Sequence, residues 1–187
     1  VVVNSGIANA ATGEEGIADA RATADRVAVQ LGIAPEQVLV LSTGVIGAPL
    51  PMERVIAGVD DAVTALSPNG GGDAAEAILT TDTHAKQAVA RGDGFTVGGM
   101  AKGSGMIHPD LATMLAVVTT DYPLEPGEAI AFLGPAVDVS FNSITVDGEC
   151  STNDAVVLLS SGAAGVERTA ASDAAFVAAL AEVCADL

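Results

Sequence analysis

The run Gly98-Gly99-Met100-Ala101-Lys102-Gly103-Ser104-Gly105, continuing from Met106 to Leu115, constrains this chain more than any other. Its glycines and single serine carry little side chain, so other groups can approach the backbone closely. Pro109 interrupts the run, and Met114 to Val118 is then continuously apolar, the pattern of a buried strand beginning at Thr113. Any fold must therefore set a small-residue loop against a core strand. Loops placed by a rigid scaffold are where chemistry tends to sit. Spacing alone favours a plainer reading, a glycine hairpin leading into a core strand.

A chain of 187 residues, half of them hydrophobic, can bury a sizeable core. Only 3% are aromatic, which predicts a core of Ala, Val, Leu and Ile. No apolar run is long enough to span a bilayer, and no signal-peptide pattern opens the chain. The net charge of -17 predicts a surface that repels nucleic acid and anionic membranes. Neither partner is expected, and a cytoplasmic location is. Cys150 and Cys184 follow no metal spacing and read as buried thiols. No internal boundary is visible, so residues 1–187 read as a single domain. Its ends, at Val1 and at Leu187 inside a helical pattern, look cut from a longer parent.

The expected elements begin with a strand end at Val1–Val3 and a turn-rich loop from Asn4 to Gly13. A helix over Ile17–Leu31 stops at Gly32, and a short strand, Gln37–Ser42, runs into a turn at Thr43-Gly44. Pro51 suits the first turn of a helix over Met52–Leu66, and Asp73 begins a second, Ala74–Leu79. Lys86–Ala90 and Gly94–Gly99 read as a hairpin, followed by the Thr113 strand. A helix is expected over Gly127–Val139, kinked at Gly134-Pro135, and a strand over Ser143–Val146. Ser151–Asp154 reads as a helix start leading the apolar run Ala155–Leu159. Ser172 is expected to cap the final helix. The mixture is α/β, with helices on the outer faces of packed sheets.

Thr43-Gly44, placed after a strand, can supply a hydroxyl and a close N–H to a developing oxyanion. A plain strand-to-helix turn explains the same residues. Lys102 is one of only two lysines in a very acidic chain. Lying eleven residues before Thr113, it can hold a substrate carboxylate or depress the pKa of a nearby amine. His84 and His108, with Asp82 and Asp110, fit no metal-ligand spacing, so no metal is expected. Gly103 to His108 has histidine where a dinucleotide fingerprint needs glycine, and leads to a strand, so no nicotinamide site is expected either.

The segment "GGMAKGSGMIHPDLATMLA" resembles the self-cleavage region of the ornithine acetyltransferase (glutamate N-acetyltransferase) family of arginine biosynthesis. Asp110 departs from an expected asparagine. "NSGIANAATG" is similar to the family's "NSGNANACTG", with Ile7 and Ala11 departing, and "STGVIG", "TTDT" and "DGECSTND" extend the likeness. The resemblance implies an N-terminal-nucleophile-like architecture, shared with the DmpA aminopeptidase. It implies self-cleavage between Ala112 and Thr113, and Thr113 as the nucleophile of the second chain. A freed α-amine titrates near pH 8 and can serve as base for its own hydroxyl, which is the physical reason for such a cut. Thr43 and Gly44 match the oxyanion donors; Lys102 and Thr80 match substrate contacts, as does Thr113 itself. The implied substrates are N2-acetylornithine and glutamate, with no cofactor and with acetyl-CoA left open as a co-substrate. The implied assembly holds two copies of each chain. A self-cleaving aminopeptidase of similar fold and a non-catalytic binding scaffold are the alternatives.

Overall fold

The computed structural model describes residues 1–106, 114–149 and 151–187. The chain folds as two compact units, Val1–Thr80 and Thr81–Leu187, where the sequence shows no break in composition.

The first unit is a β-α-β unit followed by two helices. Strands β1 (Val2–Ile7) and β2 (Val40–Val45) run parallel, with Val2 opposite Val40 and Gly6 opposite Gly44. Helix α1 (Gly13–Leu31) makes the crossover that a parallel pair requires. Gly32 ends it in the left-handed conformation at φ 66°, donating its N–H to Ala28. Residues 4–7, expected as loop, complete β1. Their polar side chains are used locally: Asn4 donates to the Ile7 carbonyl, and Ser5 Oγ donates to that of Ala77. β2 begins later than expected, because Pro35–Gln37 forms a 3₁₀ turn first. Helices α2 (Met52–Thr64) and α3 (Gly71–Ala77) follow, and Pro51 caps α2 from outside instead of occupying its first turn. The core is small-residued: Ala8, Val27, Ala28, Val59, Ala75 and Ile78 are buried.

The second unit is a four-stranded sheet in the order β3-β4-β5-β6. β3 (Lys86–Arg91), β4 (Thr96–Lys102) and β5 (Leu115–Thr120) are antiparallel neighbours, and β6 (Ala155–Ser160) pairs with β5 in parallel. The crossover from β5 to β6 carries α4 (Ala129–Asp138), with Pro135 inside it. α5 (Ala170–Asp186) packs across β3 and β4. Gly99 gives it room: a Cβ there would lie 2.9 Å from Leu187 and 3.1 Å from Val183.

Several expectations needed correction here. Ala155–Leu159 is a strand, not a helix, since an apolar run of five satisfies either pattern and the parallel partner β5 decides. Ser143–Val146 is no strand; Phe141–Ser143 is a 3₁₀ turn. Thr169, not Ser172, caps α5, and Ser172 is the third helical residue of a reciprocal pair in which each side chain takes the other's N–H. The core is also less aliphatic than composition suggests. Tyr122 stacks on Phe176 at 4.6 Å, and Phe95 and Phe132 meet Phe176 edge-on. The buried Tyr122 hydroxyl donates to Asp173 Oδ1 at 2.6 Å.

Candidate active site

Thr43 and Gly44 are not in a turn. They close β2, opposite Ser5 and Gly6 of β1. Thr43 is fully buried, while Gly44 has φ 127° and remains partly accessible. A Cβ on Gly44 would stand 2.2 Å from the carbonyl carbon of Gly6, so only glycine lets the two backbones meet. Ser42 ties the end of the pair by accepting the Asn9 N–H at 2.8 Å and donating to the Ile7 carbonyl at 3.1 Å. A buried hydroxyl beside a glycine backbone at a strand's C-terminal end is donor chemistry suited to an oxyanion.

In the second unit, Lys102 is the last residue of β4, not part of a loop, and only 2% of its side chain is exposed. Its Nζ lies 3.8 Å from Asp82 Oδ2. Asp82 Oδ1 accepts from Lys86 Nζ at 2.7 Å and from the Gly103 N–H at 2.6 Å. Lys86 Nζ donates again to the Gly103 carbonyl at 3.1 Å. Both lysines of the chain therefore converge on one buried aspartate. Burial alone would raise the Asp82 pKa, but the hydrogen bonds from Lys86 and Gly103 and the two cationic charges hold it below the usual carboxylate value. Burial also pulls Lys102 below the usual lysine value, against the charges of Asp82 and Asp154. Lys102 is thus a desolvated cation, the form in which a lysine holds a carboxylate most strongly.

Thr80 is an exposed residue at a bend that ends the first unit. Thr81 Oγ1 lies 2.7 Å from Ser104 Oγ. Ala112 and Thr113, together with His108 and Asp110, fall outside the described residues, as does Cys150. Cys184 is a buried free thiol pushed up to about 11 by burial. Among the described residues, no three His, Cys, Asp or Glu side chains gather to hold a metal ion.

The chain re-enters description at Met114, whose N–H donates to Asp154 Oδ1 at 2.7 Å. The sheet register sets Lys102 opposite Leu115, and Leu115 opposite Ala155. Lys102 and Asp154 therefore flank the start of β5 from its two sides. Burial raises the Asp154 carboxyl to about 6, against the Met114 N–H, the Ser151 hydroxyl and the Lys102 charge.

The match to known proteins covers the whole chain. The model of the ArgJ family matches residues 1–187. This chain belongs to the ArgJ family. It is 56% identical over 190 residues to the arginine biosynthesis bifunctional protein ArgJ of Symbiobacterium thermophilum, which covers 98% of this chain and 47% of that protein. Against the Thermobifida fusca ArgJ it is 51% identical over 187 residues, 100% of this chain and 48% of that one. The chain spans about half the length of these relatives. Among solved structures it is similar to the ornithine acetyltransferase of Mycobacterium tuberculosis complexed with ornithine, with TM-score 0.57, 46% identity, and 58% of this chain and 60% of that one covered. The ArgJ crystal structure from Bacillus halodurans gives TM-score 0.50 and 45% identity over 58% and 59% of the two chains. The fold is thus the mixed α/β, N-terminal-nucleophile architecture of ArgJ proteins.

Within this ArgJ chain, sequence reasoning missed two parts of the site. Asp82 and Lys86 carried a signal, a carboxylate and a lysine four residues apart in a chain with only two lysines. Asp154 carried none beyond its place in a run that had no residue-level role, because its partner lies forty residues away in sequence.

Proposed function

We propose that the full-length protein is a self-processing acetyltransferase of arginine biosynthesis, moving acetyl from N2-acetylornithine to glutamate. The Thr113 hydroxyl attacks the Ala112 carbonyl, the Ala112–Thr113 amide becomes an ester, and water opens it. This frees the Thr113 amine. That amine then takes the hydroxyl proton as Oγ attacks the acetyl carbonyl of N2-acetylornithine. Ornithine leaves with the proton, acetyl-Thr113 remains, and the glutamate amine attacks it in the second half-reaction. Thr43 and Gly44 donate to the oxyanion in each step, and Lys102 and Thr80 hold the substrate. No cofactor takes part, and acetyl-CoA is a further candidate acetyl donor. The cut leaves two chains, assembled as two copies of each, working in the cytoplasm.

The observation that carries this reading is the desolvated Lys102 at the end of β4, opposite the first residue of β5. Asp82 and Asp154 balance that buried charge within the fold, and an amino-acid substrate's carboxylate reaching this end of β4 would meet a cation already fixed in place. The family match over the whole chain supports the rest. The deciding experiment uses the full-length protein. Thr113→Ala stays one chain by intact mass and transfers no acetyl. Thr43→Ala retains the fold and slows transfer about 10²–10³-fold with little change in substrate affinity, the usual loss for one oxyanion donor. An active Thr113→Ala enzyme removes the nucleophile, and a fully active Thr43→Ala returns Thr43 to a structural part.

A further inference from the structure

Asp82 meets Lys102 at both ends of that lysine. Its side chain, just before β3, is 1% exposed. Oδ2 faces the Lys102 ammonium at 3.8 Å, longer than a hydrogen bond, so this oxygen acts on Lys102 by charge alone. Oδ1 accepts the Gly103 N–H at 2.6 Å, which fixes the peptide immediately after Lys102. Lys86 closes the arrangement, its Nζ donating to Asp82 Oδ1 at 2.7 Å and to the Gly103 carbonyl at 3.1 Å. Both polar backbone groups of Gly103 are therefore held by one ion pair. Beside that pair, the Thr81 and Ser104 hydroxyls lie 2.7 Å apart, a second tie between the same two stretches of chain. The close partner of Asp82 is thus Lys86, and Lys102 stands about one ångström further off. That spacing steadies the Lys102 ammonium without the direct pair that competes with an incoming carboxylate.

We propose that Asp82 is a positioning residue that holds Lys102 to receive the carboxylate of an amino-acid substrate, and that Lys86 keeps Asp82 from closing on Lys102 as a direct pair. This rests on the reading of Lys102 as the residue that holds substrate. Asp82 and Lys86 act through Lys102 and take no part in bond making. Their contribution is to set the place of a long, flexible side chain before substrate arrives, so that binding does not have to order it. The charged groups acting on Lys102 are Asp82 from before β3, Lys86 from β3 and Asp154 from before β6. Burial favours the neutral amine most, Asp82 opposes it, Lys86 adds to it, and Asp154 opposes it. Removing the Asp82 charge therefore lowers the pH at which Lys102 gives up its proton.

The test measures acetyl transfer by the full-length protein, with N2-acetylornithine varied at saturating glutamate and its carboxamide analogue run beside it. Asp82→Asn, Lys86→Met, Lys86→Arg and Lys102→Met are compared with the parent, each well below its own melting temperature. The expected result is that Asp82→Asn raises KM for N2-acetylornithine about tenfold while kcat stays within about threefold, the pattern of lost binding and not of lost chemistry. Its KM also begins to climb with pH at a lower pH than the parent's. Lys86→Met raises KM about threefold, and Lys86→Arg, which keeps the cation, returns it close to the parent's. The carboxamide, which brings no charge, is used alike by parent, Asp82→Asn and Lys86→Met. Parental KM in folded Asp82→Asn and Lys86→Met overturns the proposal, as does an equal loss with the carboxamide, which marks a general distortion. If Asp82→Asn does not fold, Lys86→Met, whose side chain is 23% exposed, decides by the same comparison. A parental KM in Lys102→Met sinks the underlying reading and this proposal with it. A raised KM there, beside parental values in the other variants, sinks only the role of Asp82 and Lys86.

Discussion

The two units solve the same packing problem with opposite materials. Residues 1–80 contain no aromatic side chain, whereas all five aromatics of the chain lie between Phe95 and Phe176. The first unit closes its core by bringing backbone to backbone, most tightly where Gly44 meets Gly6. The second fills its core with rings, and Phe176 touches Phe95, Tyr122 and Phe132 at once. The lesson is that one is sensitive to added atoms and the other to removed ones. The candidate residues of each unit divide similarly. Thr43 and Gly44 offer neutral donors fixed by strand geometry, while Lys102 and Asp82 offer charges fixed by one another.

Removing atoms from the second unit gives the largest expected effect. Phe176→Ala should cost about 4 kcal/mol, because it empties the centre of a ring cluster from a fully buried position. Denaturant titration measures it, and a loss comparable to a surface substitution would break the contrast. Adding one carbon to the first unit comes next. Gly44→Ala should cost about 3 kcal/mol, from backbone overlap with Gly6 together with strain at φ 127°. The same substitution at Gly58, in α2 with nothing near its would-be Cβ, should be neutral or slightly stabilising.

The charged half of the site gives a smaller, pH-dependent effect. The folded Asp82 carboxyl is held below its unfolded value near 4, so its contribution is complete above that value and is lost as pH falls through the folded one. Asp82→Asn should lower stability at neutral pH by about 2 kcal/mol, leaving Lys102 buried without its aspartate. It should also flatten the acid limb of a stability–pH curve, and an unchanged limb would show that Asp82 is not the group titrating. The smallest effect is at Arg26 and Asp60, a bidentate pair on the surface of α1 and α2. Asp60→Asn should leave the thermal midpoint within error, since exposed pairs are screened by water and salt.

Much of this was legible in the sequence. The 3.6-residue spacing of Ala20, Ala24, Val27 and Leu31, stopped by Gly32, marked α1. The hairpin of β3 and β4 was visible from its turn residues. What failed depended on partners far along the chain. β6 reads as helix until β5 is set beside it, and Thr43-Gly44 reads as a turn until Gly6 is found opposite. Thr43, Gly44, Thr80 and Lys102 were singled out largely through the likeness to the ornithine acetyltransferases, because a threonine or a lysine alone carries little signal. Asp82 as the meeting point of both lysines could not be read from the sequence, since Lys102 at the end of β4 and Gly103 just after it reach it from far along the chain.

The enclosure of Lys102 has a consequence for a protease reading the native surface. Trypsin requires an accessible lysine or arginine, and between Arg91 and Arg168 this chain offers only Lys102. With 2% of its side chain exposed, Lys102 is closed to the enzyme while the fold holds. Native digestion therefore leaves that whole span uncut at lysine, and digestion after unfolding opens it between Lys102 and Gly103. The appearance of a fragment beginning at Gly103 becomes a clock for the opening of β4.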